Sequence, residues 1–168
     1  PKDVYYMYQS VWRKDIDVLH LLPHWNWKEG DTVDVWVYYN NFDSVELFVN
    51  GKSCGTRKKI SYEDIESGKL PAENIFDMST EYHCCWRVPF EAGELTVAAY
   101  RSGERVAEKT IHTAGTPSSL DLCADRDEIA ADRSEMAFVS VEVLDKDGNL
   151  CPLADDDIKF TVSGPGEI

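Results

Sequence analysis

The stretch Val45-Glu46-Leu47-Phe48-Val49-Asn50-Gly51-Lys52 holds a strand and its turn in eight residues. Val45, Leu47 and Val49 alternate with Glu46, Phe48 and Asn50, the period of a strand with one buried face. Asn50-Gly51 accepts positive φ at both centres of a two-residue hairpin turn, so residues 52–59 are predicted to return as the partner strand. Upstream, residues 32–39 place Val33, Val35, Val37 and Tyr39 on one face, and Asn40-Asn41-Phe42-Asp43 is a turn. Residues 17–22 form a candidate first strand, followed by a loop over 23–30. Downstream, residues 82–88, 94–100 and 105–113 complete the set. Leu95, Val97 and Ala99 point inward, and Ser102-Gly103 is a hairpin turn. Seven short strands with turn signals at this spacing predict an all-β sandwich over residues 13–114. Residues 60–80 lack a period and are expected to form a long surface loop with one helical turn. Residues 1–12 are rich in aromatics (Tyr5, Tyr6, Tyr8, Trp12) and show no clean helical or strand pattern.

A second pattern follows a short linker at residues 115–118. Residues 119–124 and 137–144 read as strands, the latter with Val139, Val141 and Val143 on one face. Asp145-Lys146-Asp147-Gly148-Asn149 is a turn whose glycine supplies positive φ. Residues 158–162 alternate Ile158, Phe160 and Val162 against Lys159 and Thr161, and are expected to form another strand. About four strands appear over residues 119–168, where a sandwich of this kind uses about seven. A second, truncated β-domain is therefore expected. Its open strand edge would invite edge-to-edge self-association.

The chain has 168 residues, 43% of them hydrophobic, which suits one large or two small globular domains. Its 31 acidic residues against 17 basic ones give a formal net charge of −14. Such a surface repels phosphate backbones and anionic headgroups, so nucleic acid and membrane insertion are not expected, while a neutral sugar or a neighbouring domain is compatible. No run of about 18 apolar residues is present. The start, Pro1-Lys2-Asp3-Val4-Tyr5, lacks an initiator Met and a signal-peptide pattern, as expected of a piece of a longer chain.

Catalytic and metal chemistry find little support. Asp155-Asp156-Asp157 is the densest carboxylate cluster, but three consecutive side chains diverge, and a solvated loop accounts for them. The turn at 145–149 lacks the terminal glutamate of a calcium loop. His83-Cys84 has no second pair to complete a metal site, and Cys54, Cys84, Cys85, Cys123 and Cys151 contain no CxxC. No cofactor or metal is expected. Either Cys84 or Cys85 could reach Cys54 across a sheet, although small buried hydrophobes describe the cysteines as well. The remaining signal is aromatic. Trp25 and Trp27 sit two apart in a loop; if it is extended they share a face that could stack on a sugar ring. The alternative is that they pack between domains, since each ring buries a large apolar area and keeps one polar handle.

Three groups of segments carry a family resemblance. Tyr5-Tyr6-Met7-Tyr8-Gln9-Ser10-Val11-Trp12 resembles the exit from the catalytic barrel of bacterial β-galactosidases of glycoside hydrolase family 2. Leu21-Leu22-Pro23-His24-Trp25-Asn26-Trp27, Val35-Trp36-Val37-Tyr38-Tyr39-Asn40, residues 45–53, Trp86-Arg87-Val88-Pro89-Phe90 and Thr113-Ala114-Gly115-Thr116-Pro117 resemble the immunoglobulin-like domain that follows the barrel. Ala124-Asp125-Arg126, Phe138-Val139-Ser140-Val141-Glu142-Val143, Asp147-Gly148-Asn149 and Pro152 resemble the start of the next such domain. The resemblance implies that residues 1–12 are an exit segment and that the catalytic glutamates lie in the barrel, so no residue here inherits a catalytic role. It further implies a retaining β-galactosidase as parent, the barrel and other parent domains as partners, and a periplasmic, secreted or cell-surface location. Galactoside glycans are a possible ligand through the tryptophans. The loop over residues 60–80 is longer than such domains usually carry.

Overall fold

The computed structural model describes residues 2–67, 79–132 and 134–164. They divide into two compact units, residues 1–113 and 114–168. In the first, a helix α1 (Asp3–Trp12) precedes seven strands: β1 (Leu19–Leu22), β2 (Thr32–Tyr39), β3 (Ser44–Val49), β4 (Lys52–Arg57), β5 (Cys84–Pro89), β6 (Glu94–Arg101) and β7 (Glu104–His112). A short helix α2 (Tyr62–Glu66) lies between β4 and β5. The sheets are all antiparallel, in the orders β1-β2-β5 and β4-β3-β6-β7. In a constant-type immunoglobulin sandwich the fourth strand pairs with the fifth. Here it pairs with the third instead, because the two-residue turn at Asn50-Gly51 returns the chain directly alongside β3.

The alternation sets the core. Val33, Val35, Val37 and Tyr39 of β2 face Val45, Leu47 and Val49 of β3, Cys84, Trp86 and Val88 of β5, and Leu95, Val97 and Ala99 of β6. All are nearly or fully buried. The turns behave as their residues require. Asn50 (φ 48°) and Gly51 (φ 77°) close β3–β4, and Ser102 (φ 54°) and Gly103 (φ 84°) close β6–β7. The Asn50 side chain also accepts from Glu94 N–H (2.8 Å) and donates to Ala92 C=O (3.1 Å), tying this turn to the start of β6.

Two features differ from the pattern in the sequence and one agrees with it. Residues 3–12 are helical. No side chain caps the start of α1, and tertiary contacts hold it: Tyr6 stacks on His20 and Ser10 is fully buried. The segment between α1 and β1 is anchored by Asn40, whose side chain accepts from Val18 N–H (2.8 Å) and donates to Arg13 C=O. Secondly, the loop over 60–80 carries its expected helical turn as α2, where Ser61 Oγ accepts from Asp64 N–H and donates to the Asp64 carboxylate. Residues 68–78 of that expectation lie outside the described residues. Thirdly, residues 158–162 are not a strand. They find no partner among the described residues, and Phe160 and Val162 are half exposed.

The second unit contains β8 (Pro117–Ala124) and β9 (Val139–Asp145), an antiparallel pair, so the end of the expected linker is already strand. Every residue of β8 is exposed. Register pairs Leu120 with Val143, Leu122 with Val141 and Ala124 with Val139, so one face of the hairpin is wholly apolar. Asp145 ends β9. Its carboxylate accepts from the backbone N–H of Gly115 (2.8 Å), Asp147 (2.9 Å) and Asn149 (2.8 Å), and from Asn149 Nδ2 (3.1 Å). These donors hold its pKa well below the usual carboxylate range, Gly115 contributing most.

Candidate functional site: an aromatic face on the first sheet

Trp25 and Trp27, expected to share a face, are separated by the fold. Trp25 is 1% exposed, packs edge-to-face on Phe90 and donates Nε1–H to Glu91 C=O at 2.9 Å. It belongs to the core and offers no plane to a ligand, which corrects the expectation for this residue. The polar handle that made an interface role plausible is satisfied inside the domain. Trp27 is exposed, stacks on the His24 ring at 5.1 Å and donates Nε1–H to His24 C=O at 2.9 Å. Burial lowers the His24 pKa.

Aromatics do converge elsewhere, on the outer face of the β1-β2-β5 sheet. With Val33, Val35 and Val37 inward, β2 turns Asp34, Trp36 and Tyr38 outward. Register sets His20 beside Tyr38, Leu22 and Cys85 beside Trp36, and Arg87 beside Asp34. His20 lies between Tyr6 of α1 (3.9 Å, 12° between planes) and Tyr38 (6.3 Å, 11°), and donates through Nε2–H to the Asp3 carboxylate at 2.8 Å. Trp36 stacks on His83 at 4.6 Å with the rings 5° from parallel. His83 is held in turn by Thr80 Oγ1 at 3.0 Å, and burial, then nearby Lys59, lowers its pKa.

The face is covered unevenly. Tyr38, next to α1, is 6% exposed, whereas Trp36 is 38% exposed and Asp34 lies in the open. Asp34 and Arg87 form a bidentate pair (2.7 and 3.0 Å), which holds the Asp34 carboxyl below its ordinary range. Sequence reasoning weighed His83 only as a metal ligand beside Cys84 and did not single out Trp36 as a site residue. The available signal was an indole at a solvent-side position of an otherwise clean alternation. Helix α1 carries a second exposed set: Val4, Tyr5, Tyr8 and Trp12, with Tyr8 stacked on Trp12 at 4.7 Å.

Lys59 is half-buried. Lys59 Nζ donates to Tyr39 C=O and sits 4.8 Å from the Tyr39 ring centroid. Burial, then the charge of Lys14, pushes its pKa down to about 8. His83 and Cys84 point to opposite faces of β5: Cys84 is in the core, where its thiol approaches Tyr39 OH at 3.8 Å. They therefore cannot chelate one ion. All five cysteines are free thiols. No group of three or more metal-ligating side chains occurs among the described residues. Nor is any helix among them long and apolar enough to cross a membrane.

The first unit is an antiparallel β-sandwich whose outer sheet face carries a cluster of aromatic side chains. Comparison with known proteins supplies the family. Residues 120–168 match glycoside hydrolase family 2 C-terminal domain 5, and residues 30–107 match Domain of unknown function (DUF4982). The chain is 50% identical over its full length to the beta-galactosidase BoGH2A of Bacteroides ovatus, covering 18% of that protein. A beta-glucuronidase of Formosa agariphila is 31% identical across 98% of the chain, which covers 15% of it. Among solved structures, a beta-glucuronidase from glycoside hydrolase family 2 superposes with a TM-score of 0.74 at 29% identity over 98% of the chain and 16% of its own. A beta-glycosidase from Bacteroides vulgatus gives 0.70 at 31% identity, over 90% of this chain and 17% of that one. The chain belongs to glycoside hydrolase family 2, as part of its C-terminal region, and spans less than a fifth of the length of these relatives.

Proposed function

We propose that the chain is a non-catalytic packing and spacing module of a family 2 β-galactosidase that hydrolyses terminal β-galactosides outside the cytoplasm, in the periplasm or at the cell surface. The 50% identity to a beta-galactosidase supports the substrate class. One observation carries the packing role: the exposed side of α1, where Val4, Tyr5, Tyr8 and Trp12 present apolar area on a helix already fastened to the sandwich. A neighbouring catalytic barrel is the partner of suitable chemistry, since such a stripe gains most by leaving water. The test uses the full-length parent. Trp12→Ala is expected to lower its melting temperature while leaving KM for a nitrophenyl β-galactoside unchanged. An unchanged melting temperature overturns the packing role, and hydrolysis by the purified 168-residue chain above a mock preparation overturns the non-catalytic one.

The apolar face of the β8–β9 hairpin favours a second reading, self-association through the second unit. Leu120, Leu122 and Val139 are each at least half exposed. Sedimentation of the isolated chain is expected to show a concentration-dependent dimer that Leu122→Asp abolishes; monomer at all concentrations removes this reading.

A further inference from the structure

We propose that the open half of the outer β1-β2-β5 face, centred on Trp36 with the Asp34–Arg87 pair beside it, is a binding platform for a neutral saccharide. Trp36 stands in the middle of a paired strand, so its backbone is fixed by β1 on one side and β5 on the other. The His83 ring takes one face of the indole at 4.6 Å, and Thr80 holds His83 in turn, so the indole plane is set before any ligand arrives. Trp36 as a whole remains 38% exposed. Preorganisation of this kind removes part of the ordering cost of binding.

The surroundings select the ligand. Asp34 and Trp36 are two residues apart on one strand face, about 7 Å at strand rise, close to the width of one pyranose ring. Asp34 uses two of its acceptor positions on Arg87 and keeps others, so it can receive sugar hydroxyls while the indole meets the C–H face. A pyranose has this division, an apolar C–H face and a rim of hydroxyls. A quaternary ammonium would require several aromatic walls, and here one plane is presented. A polyanion is opposed by the formal charge of −14. A bilayer is opposed by the ion pair beside Trp36. Helix α1 closes the His20 end, where Tyr38 is 6% exposed, so the platform is short and suits one or two sugar units. The family assignment enters only in the choice of probes.

Affinity electrophoresis of the 168-residue chain, in native gels containing β-1,4-galactan or galactomannan, tests this directly, with polygalacturonate as the acidic control. The neutral polymers are expected to retard the chain. Trp36→Ala is expected to weaken retardation about tenfold, the loss of one stacked ring. Asp34→Ala, at an exposed position, is expected to weaken it as well, and Trp27→Ala to leave it unchanged. Near-ultraviolet circular dichroism checks that each variant is folded, and Asp34→Ala keeps the test valid if Trp36→Ala is not. Migration unchanged by either neutral polymer, equal retardation of wild type and both platform variants, or retardation by polygalacturonate alone overturns the proposal. None of these outcomes bears on the Trp12 test of the packing role.

Discussion

At the scale of single residues, chemistry identical by type is divided by burial. Trp25 and Trp27 are two positions apart, yet one fills the core against Phe90 and the other lies over His24. Trp25→Ala is expected to destabilise the first unit by about 3–5 kcal/mol, as removal of a buried aromatic does, and also to leave the Glu91 carbonyl unpaired. Trp27→Ala is expected to cost about 1 kcal/mol or less. Urea denaturation followed by circular dichroism separates the two. Lys59 gives a pH signature. Its folded pKa, about 8, lies below its ordinary value of 10.5. Between these values the unfolded chain binds more protons at this site, so its contribution to stability rises with pH. The stability difference, wild type minus Lys59→Met, is expected to increase from pH 8 to pH 10. Measuring the difference cancels the opposing contributions of Tyr39 and Cys84, whose pKa values burial raises. A flat difference would show that Lys59 is hydrated.

At the scale of elements, strands were legible and the helix was not. Strands β2, β3 and β6 follow from alternation because each has one face in the core and one in water. Asn50-Gly51 and Ser102-Gly103 were readable as turns because positive φ restricts residue choice sharply. Helix α1 has no side-chain cap at its start and lacks a good set of helix formers. It exists because Tyr6 and Asp3 engage His20, a residue 14 positions or more away in sequence. Tyr6→Ala is therefore expected to reduce amide protection throughout α1 by roughly threefold to tenfold, the equivalent of one aromatic pair. Protection in β2 and β6 should be unchanged, and hydrogen exchange read by mass spectrometry resolves both regions. Residues 158–162 show the opposite case. They alternate well, but alternation is only half of a strand, and no described neighbour supplies the hydrogen bonds.

At the scale of the whole chain, the two units differ in how much they bury. The first closes two sheets over a continuous core, while the second has an apolar hairpin face and a staple at Asp145. Amides of β8 and β9 are expected to exchange at least tenfold faster than those of β2, β3 and β6, because local opening there exposes little new apolar surface. Equal protection in the two units would mean that the hairpin face is covered in solution, as self-association predicts. Asp145 adds a pH limit. A carboxyl whose folded pKa is depressed contributes stability above its ordinary range and loses that contribution on acidification.

Period-two patterning and turn chemistry were enough to determine an all-β sandwich, most strand positions and the inward-facing residues. These properties are local: a residue's side of a strand depends on its immediate neighbours. Tertiary structure alone decided that Trp25 is core, that Trp36 and His83 stack, that residues 3–12 are helical and that β4 pairs with β3 while β5 joins β2. Each of these depends on which distant segment arrives at a given face, and exposure is a property of that arrival, not of the residue.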